Sequence, residues 1–332
     1  MKPLVSLLTT AVLALAAPLA GAQAFPDREL TGIVMWGAGG ATDVVARAVA
    51  PYAEEALGRK IVMQNRAGGA GAIATNFVHN APSDGYTLLL GAENPQLHPV
   101  LGLGELDYSR FYPVNVLGRG IAVIVVNNDT PWRSVRDLIT DANKRPGKIK
   151  MGGTGPGGLP HTVGSMLNSV SQIKVISVPF DGEGPGLTAL QGGHVDFMPV
   201  GVGAAADHIK AGRVRAIAVV STEPLASLPG VPPITQDLPD FARFLPWGPF
   251  YGVWVKRDTP DAAKAALVRA FKVAADNPKF QALMEARGNL MMNISGDEAD
   301  AFLKRWQSIT TWTLQDAGVT KKSPEAFGIS KP

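Results

Sequence analysis

Short apolar runs alternate with amphipathic stretches along the first part of the chain, which indicates strands separated by helices. Apolar residues three and four positions apart predict helices at Asp43–Leu57 and about Ala72–Asn80. This alternation is typical of parallel βαβ units. The predicted strands of this part are Leu30–Met35, Ile61–Met63, Thr87–Leu90 and Ile121–Val126.

A second set of alternating elements follows, and it ends in a strand at Phe250–Val255 and a helical C-terminal region. The strands Ile121–Val126 and Phe250–Val255 bracket this set, so we predict that they are crossovers between two lobes. The expected fold is an α/β two-lobe clamshell, each lobe being a β-sheet flanked by helices, with the crossovers as a hinge. Residues 25–126 plus 254–332 form lobe 1, and residues 127–253 form the inserted lobe 2.

The first 24 residues resemble a targeting segment. Lys2 gives a positive start, Leu4–Leu19 carries no charge, and Ala22-Gln23-Ala24 has the small residues of a cleavage site. We predict a secretory signal peptide cleaved after about Ala24. An uncleaved membrane helix is the alternative. An exported protein without cysteine is expected to be free in the periplasm rather than lipid-anchored.

Composition narrows the chemistry of the chain. Its 332 residues are 46% hydrophobic and 18% charged, and none is cysteine, which excludes disulfides, thiolate metal sites and cysteine nucleophiles. The formal net charge of +3 is small, and no block of Lys and Arg is interleaved with aromatic residues, so nucleic acid is not an expected partner. The five histidines have no metal-ligand spacing, so we predict neither a metal nor a cofactor.

Many of the 37 glycines fall at predicted strand ends that precede helices. Gly37–Gly40 and Gly152–Gly158 occupy equivalent places in the two predicted lobes. Backbone amides at a helix start favour anions, so one such loop in each lobe indicates a carboxylate or phosphate held from both sides. Tight turns without a ligand are the alternative. A dinucleotide site is disfavoured because Gly37-Ala38-Gly39-Gly40-Ala41-Thr42 lacks the third glycine of that motif.

Two side chains beside these loops allow more than one interpretation. His161 either lines a pocket or makes a hydrogen bond at its helix start. Asp43 either recognises a ligand donor or caps its own helix.

Several segments, in order along the chain, resemble the extracytoplasmic receptors of tripartite tricarboxylate transporters, the Bug or TctC-like proteins. The resemblance covers nearly all of the mature chain. The segments that carry it are Val34–Asp43, Asn65–Gly71, Ser83–Gly91, Pro146–Lys148, Gly152–His161, Val178–Gly182, His208–Ala216 and Leu228–Pro232.

The resemblance implies a type II periplasmic-binding-protein fold that captures a small carboxylate in the cleft and delivers it to a two-subunit membrane permease. It implies no catalytic residue, and we expect a monomer. The ligand-binding residues carried over by position are Trp36, Gly37, Ala38, Gly39, Gly40, Thr42, Asp43, Ala92, Glu93, Asn94, Thr154, Gly155, Gly157, Gly158, His161, Phe180, Asp181, Gly182, Met198 and Val200.

The chain departs from the family pattern at Trp36-Gly37, Phe180-Asp181 and Leu159-Pro160, where hydroxyl groups are lost and apolar surface is gained. We therefore predict a ligand with a larger apolar or aromatic body than a small hydroxy acid, either a dicarboxylate or an aromatic carboxylate. Asp181 and Glu183 either meet a ligand amine or are solvated loop acids.

Two other functions stay open. One is a secreted α/β hydrolase or lyase that uses His161 with Asp181 or Glu183. The other is a sensory receptor that presents its ligand to a membrane protein.

Overall fold

The computed structural model describes residues 25–332, and the predicted signal peptide lies outside the described residues. Two mixed β-sheets, flanked by helices, form the two-lobe clamshell. The first sheet has six strands in the order β11-β4-β10-β3-β1-β2. Its strands are β1 (Leu30–Val34), β2 (Ile61–Asn65), β3 (Thr87–Ala92), β4 (Phe111–Arg119), β10 (Phe250–Lys256) and β11 (Leu290–Ile294).

The second sheet has five strands in the order β7-β6-β8-β5-β9. In each sheet the strands joined through helices are parallel, as the alternating pattern predicts: β1 pairs with β2 and β3, and β6 with β7 and β8. The remaining neighbours are antiparallel. The strands of the second sheet are β5 (Ala122–Val126), β6 (Lys150–Gly153), β7 (Ile176–Pro179), β8 (Phe197–Gly201) and β9 (Arg215–Val219).

Amphipathic helices cover both sheets. In the first helix, Val45, Val49 and Ala53 recur every four residues and are buried. No helix within residues 25–332 combines the length and the apolar character needed to cross a membrane. The helices are α1 (Ala41–Leu57), α2 (Ala72–Asn80), α3 (His98–Leu101), α4 (Val135–Lys144), α5 (Leu159–Ser171), α6 (Glu183–Gln191), α7 (Val202–Lys210), α8 (Asp261–Ala275), α9 (Pro278–Ala286) and α10 (Gly296–Asp316).

The two strands expected to be crossovers each lie in a single sheet, β5 in the second and β10 in the first. The chain passes between the sheets just before each of them. The Gly120 amide donates to the carbonyl of Pro249 at 2.7 Å, and a Cβ atom on Gly248 would lie 2.1 Å from the Gly120 carbonyl oxygen. Close approach of the two backbones therefore marks the crossing. We propose these segments as the hinge, and the exact lobe limits stay a prediction.

Other local predictions also need correction. Strands β4 and β11 escaped the apolar pattern because glycine, proline and asparagine interrupt them, and antiparallel pairing with β10 and β4 holds them in the sheet. Ser295 is the N-cap residue of α10, but its hydroxyl has no hydrogen-bond partner among the described residues. Ser134 does cap α4, because its hydroxyl accepts from the Asp137 amide at 3.1 Å.

Candidate functional site

A cavity lies between the two lobes, beyond the carboxyl ends of the parallel strands. Open α/β sheets place ligands at this edge. The cavity has an empty volume of about 360 Å³, which includes its opening to solvent. The residues that line it are Trp36, Gly40, Ala41, Thr42, Ala92, Glu93, Thr154, Leu159, Glu183, Pro249 and Tyr251.

Two helices, one from each lobe, start at the cavity. Helix α1 begins after Gly40 and helix α5 after Gly158, and neither start is capped by its own N-cap side chain. The amides of an uncapped first turn carry a partial positive charge and hold anions well. Each glycine loop thus precedes a helix start at one side of the cleft, and an anion site there stays a prediction.

The glycines at the cleft also let the lobes approach closely. A Cβ atom on Gly37 would lie 2.6 Å from the carbonyl oxygen of Asp181, and one on Gly184 would lie 3.1 Å from that of Ala38. The Asn94 side-chain amide donates to the carbonyl of Gly157 across the cleft at 2.6 Å. The backbone of one lobe therefore touches that of the other with no side chain between them.

Two glutamates face the cavity from opposite lobes. Glu93 follows β3 and is only 3% exposed. Burial, and to a smaller extent the neighbouring Glu183, raises the pKa of its carboxyl group to about 8. Burial likewise raises the pKa of Glu183 to about 7, although the amides of Gly201 and Ala41 counter part of the rise. The Gly201 amide donates to Glu183 Oε1 at 2.8 Å.

Tyr251 also lines the cavity, and both acids affect the pKa of its phenol. Burial raises the pKa of the Tyr251 phenol well above its ordinary value, and the charges of Glu183 and Glu93 raise it further. The phenol therefore stays protonated and offers a hydrogen-bond donor to the cavity.

Six of the residues predicted to bind ligand line the cavity. Asp43 holds the glycine loop ahead of its helix, because its carboxylate accepts from the Gly39 amide at 3.1 Å and also from Arg47 and Asn65. The six are Trp36, Gly40, Thr42, Ala92, Glu93 and Thr154.

His161 and the second loop of lobe 2 are placed differently from the cavity residues. The Gly157 amide donates to His161 Nδ1 at 2.9 Å, so this ring holds the glycine loop, and burial lowers its pKa. Asp181 is exposed, Phe180 is half-buried, and Met198 and Val200 lie inside the sheet as part of β8. Gly37, Ala38 and Gly182 meet at the contact between the lobes.

Ala41, Leu159, Pro249 and Tyr251 were not predicted as cavity residues. The first two are the first residues of helices α1 and α5, so a helix start placed two residues earlier would have included them. Pro249 and Tyr251 lie at the start of β10, which is antiparallel to β3 and therefore begins where β3 ends. The sequence predicted β10 as a strand but did not predict that it lies beside β3.

The two buried acids predict a stability that falls as the pH rises. Each acid has a pKa near 4.5 when unfolded and a higher one when folded, so the folded state binds more protons between these values. Stability is then full below about pH 4.5 and declines towards about pH 8, by up to about 1.4 kcal/mol per pH unit for each proton.

Urea unfolding at pH 5, 6, 7 and 8 measures this decline. The double variant Glu93→Gln/Glu183→Gln is expected to have a flatter profile than the wild type. The variant Glu105→Gln, which changes an exposed acid, is the control and keeps the wild-type profile. Equal slopes for the wild type and the double variant would contradict the prediction.

Two α/β lobes that meet at a cavity rimmed by helix amino ends define the class of two-lobe solute-binding proteins. The sequence model of the tripartite tricarboxylate transporter family receptor, TctC, matches residues 45–309. The chain belongs to this family, as its sequence motifs indicated.

Individual relatives agree with this assignment. The chain is 31% identical over 304 residues to the UPF0065 protein in the tcbD-tcbE intergenic region of Pseudomonas sp. (strain P51), a match covering 86% of this chain and 87% of that one. The solved structure of the periplasmic binding protein BugD is 28% identical, with a TM-score of 0.83, over 90% of this chain and 100% of that chain. R. palustris Rpa4515 with adipate is 25% identical, with a TM-score of 0.83, over 89% of this chain and 98% of that chain.

Proposed function

We propose that this protein is a periplasmic receptor that captures a small carboxylate between its lobes and delivers it to a two-subunit membrane permease. The observation that carries this proposal is the cavity between the lobes, at which the uncapped amino end of α5 lies opposite the amino end of α1, where Glu183 faces the Ala41 amide. Membership of the receptor family supports the transport role. The adipate in the similar Rpa4515 structure supports a carboxylate as the ligand class.

A binding role without turnover fits the arrangement of the side chains. The hydrolase alternative needed His161 beside Asp181 or Glu183. The Nδ1 atom of His161 accepts from a backbone amide, and Asp181 is exposed outside the cavity. Glu183 is engaged by the Gly201 amide. We therefore propose that closure of the lobes over the ligand is the functional event, driven by the higher ligand affinity of the closed state.

Thermal unfolding with a panel of acids tests the proposal. Adipate, succinate, citrate, malate, benzoate and 4-hydroxybenzoate would be compared with their uncharged amides, which keep the shape and remove the charge. A ligand at 100 times its dissociation constant stabilises the folded state by about 2.7 kcal/mol. We expect at least one acid to reach this and its amide to have no effect.

The same panel tests the predicted apolar ligand body. Trp36, Leu159 and Pro249 contribute apolar surface to the cavity, so an aromatic acid or the longer dicarboxylate is expected to stabilise the protein most. A larger effect of citrate or malate would overturn this preference. A panel in which acids and amides have equal effects would overturn carboxylate capture itself.

A further inference from the structure

The cavity contains two acids, and none of the described residues that line it carries a positive charge. Glu93 reaches it from the end of β3, and Glu183 from the first turn of α6. A ligand that offers only carboxylate groups would meet these acids with no basic side chain to offset them. The ligand therefore needs a group that complements the two acids.

Glu93 has an unmet hydrogen-bonding requirement. Its side chain is 3% exposed, and its Oε2 atom has no partner among residues 25–332. A buried carboxyl oxygen without a partner is costly, and once the group is ionised this oxygen requires a donor, which at a cavity wall can come from a ligand. The nearby Tyr108 hydroxyl does not supply it, because this hydroxyl donates to the Ala92 carbonyl at 2.5 Å.

The two helix starts at the cavity are not equivalent. Glu183 accepts from the Gly201 amide and faces the amide of Ala41, so the start of α1 already has a carboxylate supplied by the opposite lobe. The N-cap residue of α5 provides no side-chain cap. Leu159, the first residue of α5, and the neighbouring Thr154 line the cavity. The positive and negative ends of the site are therefore separated: amides at α5, and acids at Glu93 and Glu183.

We propose that the ligand is a small amino-carboxylate zwitterion, whose carboxylate meets the start of α5 and whose ammonium group binds Glu93 and Glu183. The ammonium group supplies the donors that Glu93 lacks, as charge-assisted hydrogen bonds to both acids. This inference rests on the proposed function, since it assumes that a carboxylate binds in the same cavity.

The protonation of the two acids predicts the direction in which ligand affinity changes with pH. The titratable groups that face Glu93 are Glu183, Tyr108 and Tyr251. Burial of both acids, with the charge of Glu183 acting on Glu93, keeps much of the acid pair protonated near neutral pH. An ammonium group favours the ionised acids, so its binding releases protons. The affinity for an amino acid then rises with pH up to about 8. The affinity for a carboxylate without an amino group, which accepts a hydrogen bond from protonated Glu93, falls over the same range.

Calorimetry with matched pairs that differ only in the amino group tests the inference. Aspartate would be compared with succinate, β-alanine with propionate, and 3-(aminomethyl)benzoate with 3-methylbenzoate, each at pH 6, 7 and 8. In at least one pair we expect the amino member to bind about tenfold or more tightly. Its affinity should increase towards pH 8.

Variants then assign the effect to the acids. Glu93→Gln is expected to remove both the preference and the rise with pH, and Glu183→Gln to reduce them. Glu105→Gln, on the exposed surface, keeps both. Circular dichroism and thermal unfolding check that each variant folds, and the wild-type comparisons stand without any variant.

The outcomes separate this inference from the proposed function. Equal or tighter binding of the members without an amino group, with affinity falling as pH rises, overturns the zwitterion and leaves carboxylate capture in place. No binding of any carboxylate, with or without an amino group, overturns both. Binding of propylamine without a carboxylate requirement also contradicts both, because it leaves the start of α5 unused.

Discussion

Replacing Gly37 by alanine is expected to weaken ligand binding about 10- to 100-fold while leaving the fold intact. The added Cβ atom would lie 2.6 Å from the carbonyl oxygen of Asp181, and the neighbouring atoms belong to the backbone of the opposite lobe. Overpacking of this kind costs about 1–3 kcal/mol, and each 1.4 kcal/mol corresponds to a factor of ten in affinity. The clash arises only when the lobes are closed, so the ligand must supply this free energy.

Calorimetry with the carboxylate that binds the wild type most tightly measures the effect, and urea unfolding of the ligand-free protein measures the stability. Gly104→Ala is the matched control, because a Cβ atom there has no neighbour within 4 Å. The control should bind like the wild type. Wild-type affinity in Gly37→Ala would show that the contact at Asp181 takes no part in closure.

Replacing Trp254 by alanine is expected to lower the free energy of unfolding by about 3–5 kcal/mol, the usual range for a buried aromatic residue. Trp254 is fully buried in β10, the strand that lies between β3 and β4 in the first sheet. Its ring stacks on Tyr108, with centroids 4.1 Å apart and planes 7° from parallel. The loss should extend to the site, because the Tyr108 hydroxyl holds the Ala92 carbonyl beside Glu93.

Urea denaturation measures this loss, and Trp312→Ala is the matched control. Trp312 is half-buried on α10, and its indole donates to the Ile329 carbonyl at 3.1 Å. A change in the ordinary range for such a position, below about 3 kcal/mol, is expected there. Equal losses in the two variants would mean that the aromatic stack at β10 has no special weight in the stability of the first lobe.

Much of the fold was predictable because the parallel strands are buried apolar runs between amphipathic helices. Strands β1, β3 and β5 and helix α1 follow that pattern to within a few residues at their ends. Strands β4 and β11 were missed because their stability comes from antiparallel neighbours rather than from an apolar run of their own. The expected crossovers were misplaced because an apolar strand does not specify the sheet that it joins.

Some features of the candidate site were also predictable from the sequence, and others were not. The glycine loops at Gly37 and Gly157 were predictable, because amides at a strand end followed by a helix favour anions whatever surrounds them. The burial of Glu93 and the place of Tyr251 were not, since each depends on β10 lying antiparallel beside β3. Glu183 was left between a ligand contact and a solvated loop acid, and the tertiary structure places it at the cavity.

The sequence by itself determined the family, the α/β class and the glycine loops that open helices at strand ends. These features depend on local periodicity, on backbone freedom and on motifs that occur in order along the chain. Only the tertiary structure decided that two acids from opposite lobes share one cavity with no basic side chain among its described lining residues. The physical reason is that desolvation and mutual repulsion depend on distances between residues about 90 positions apart, Glu93 and Glu183, which no local pattern encodes.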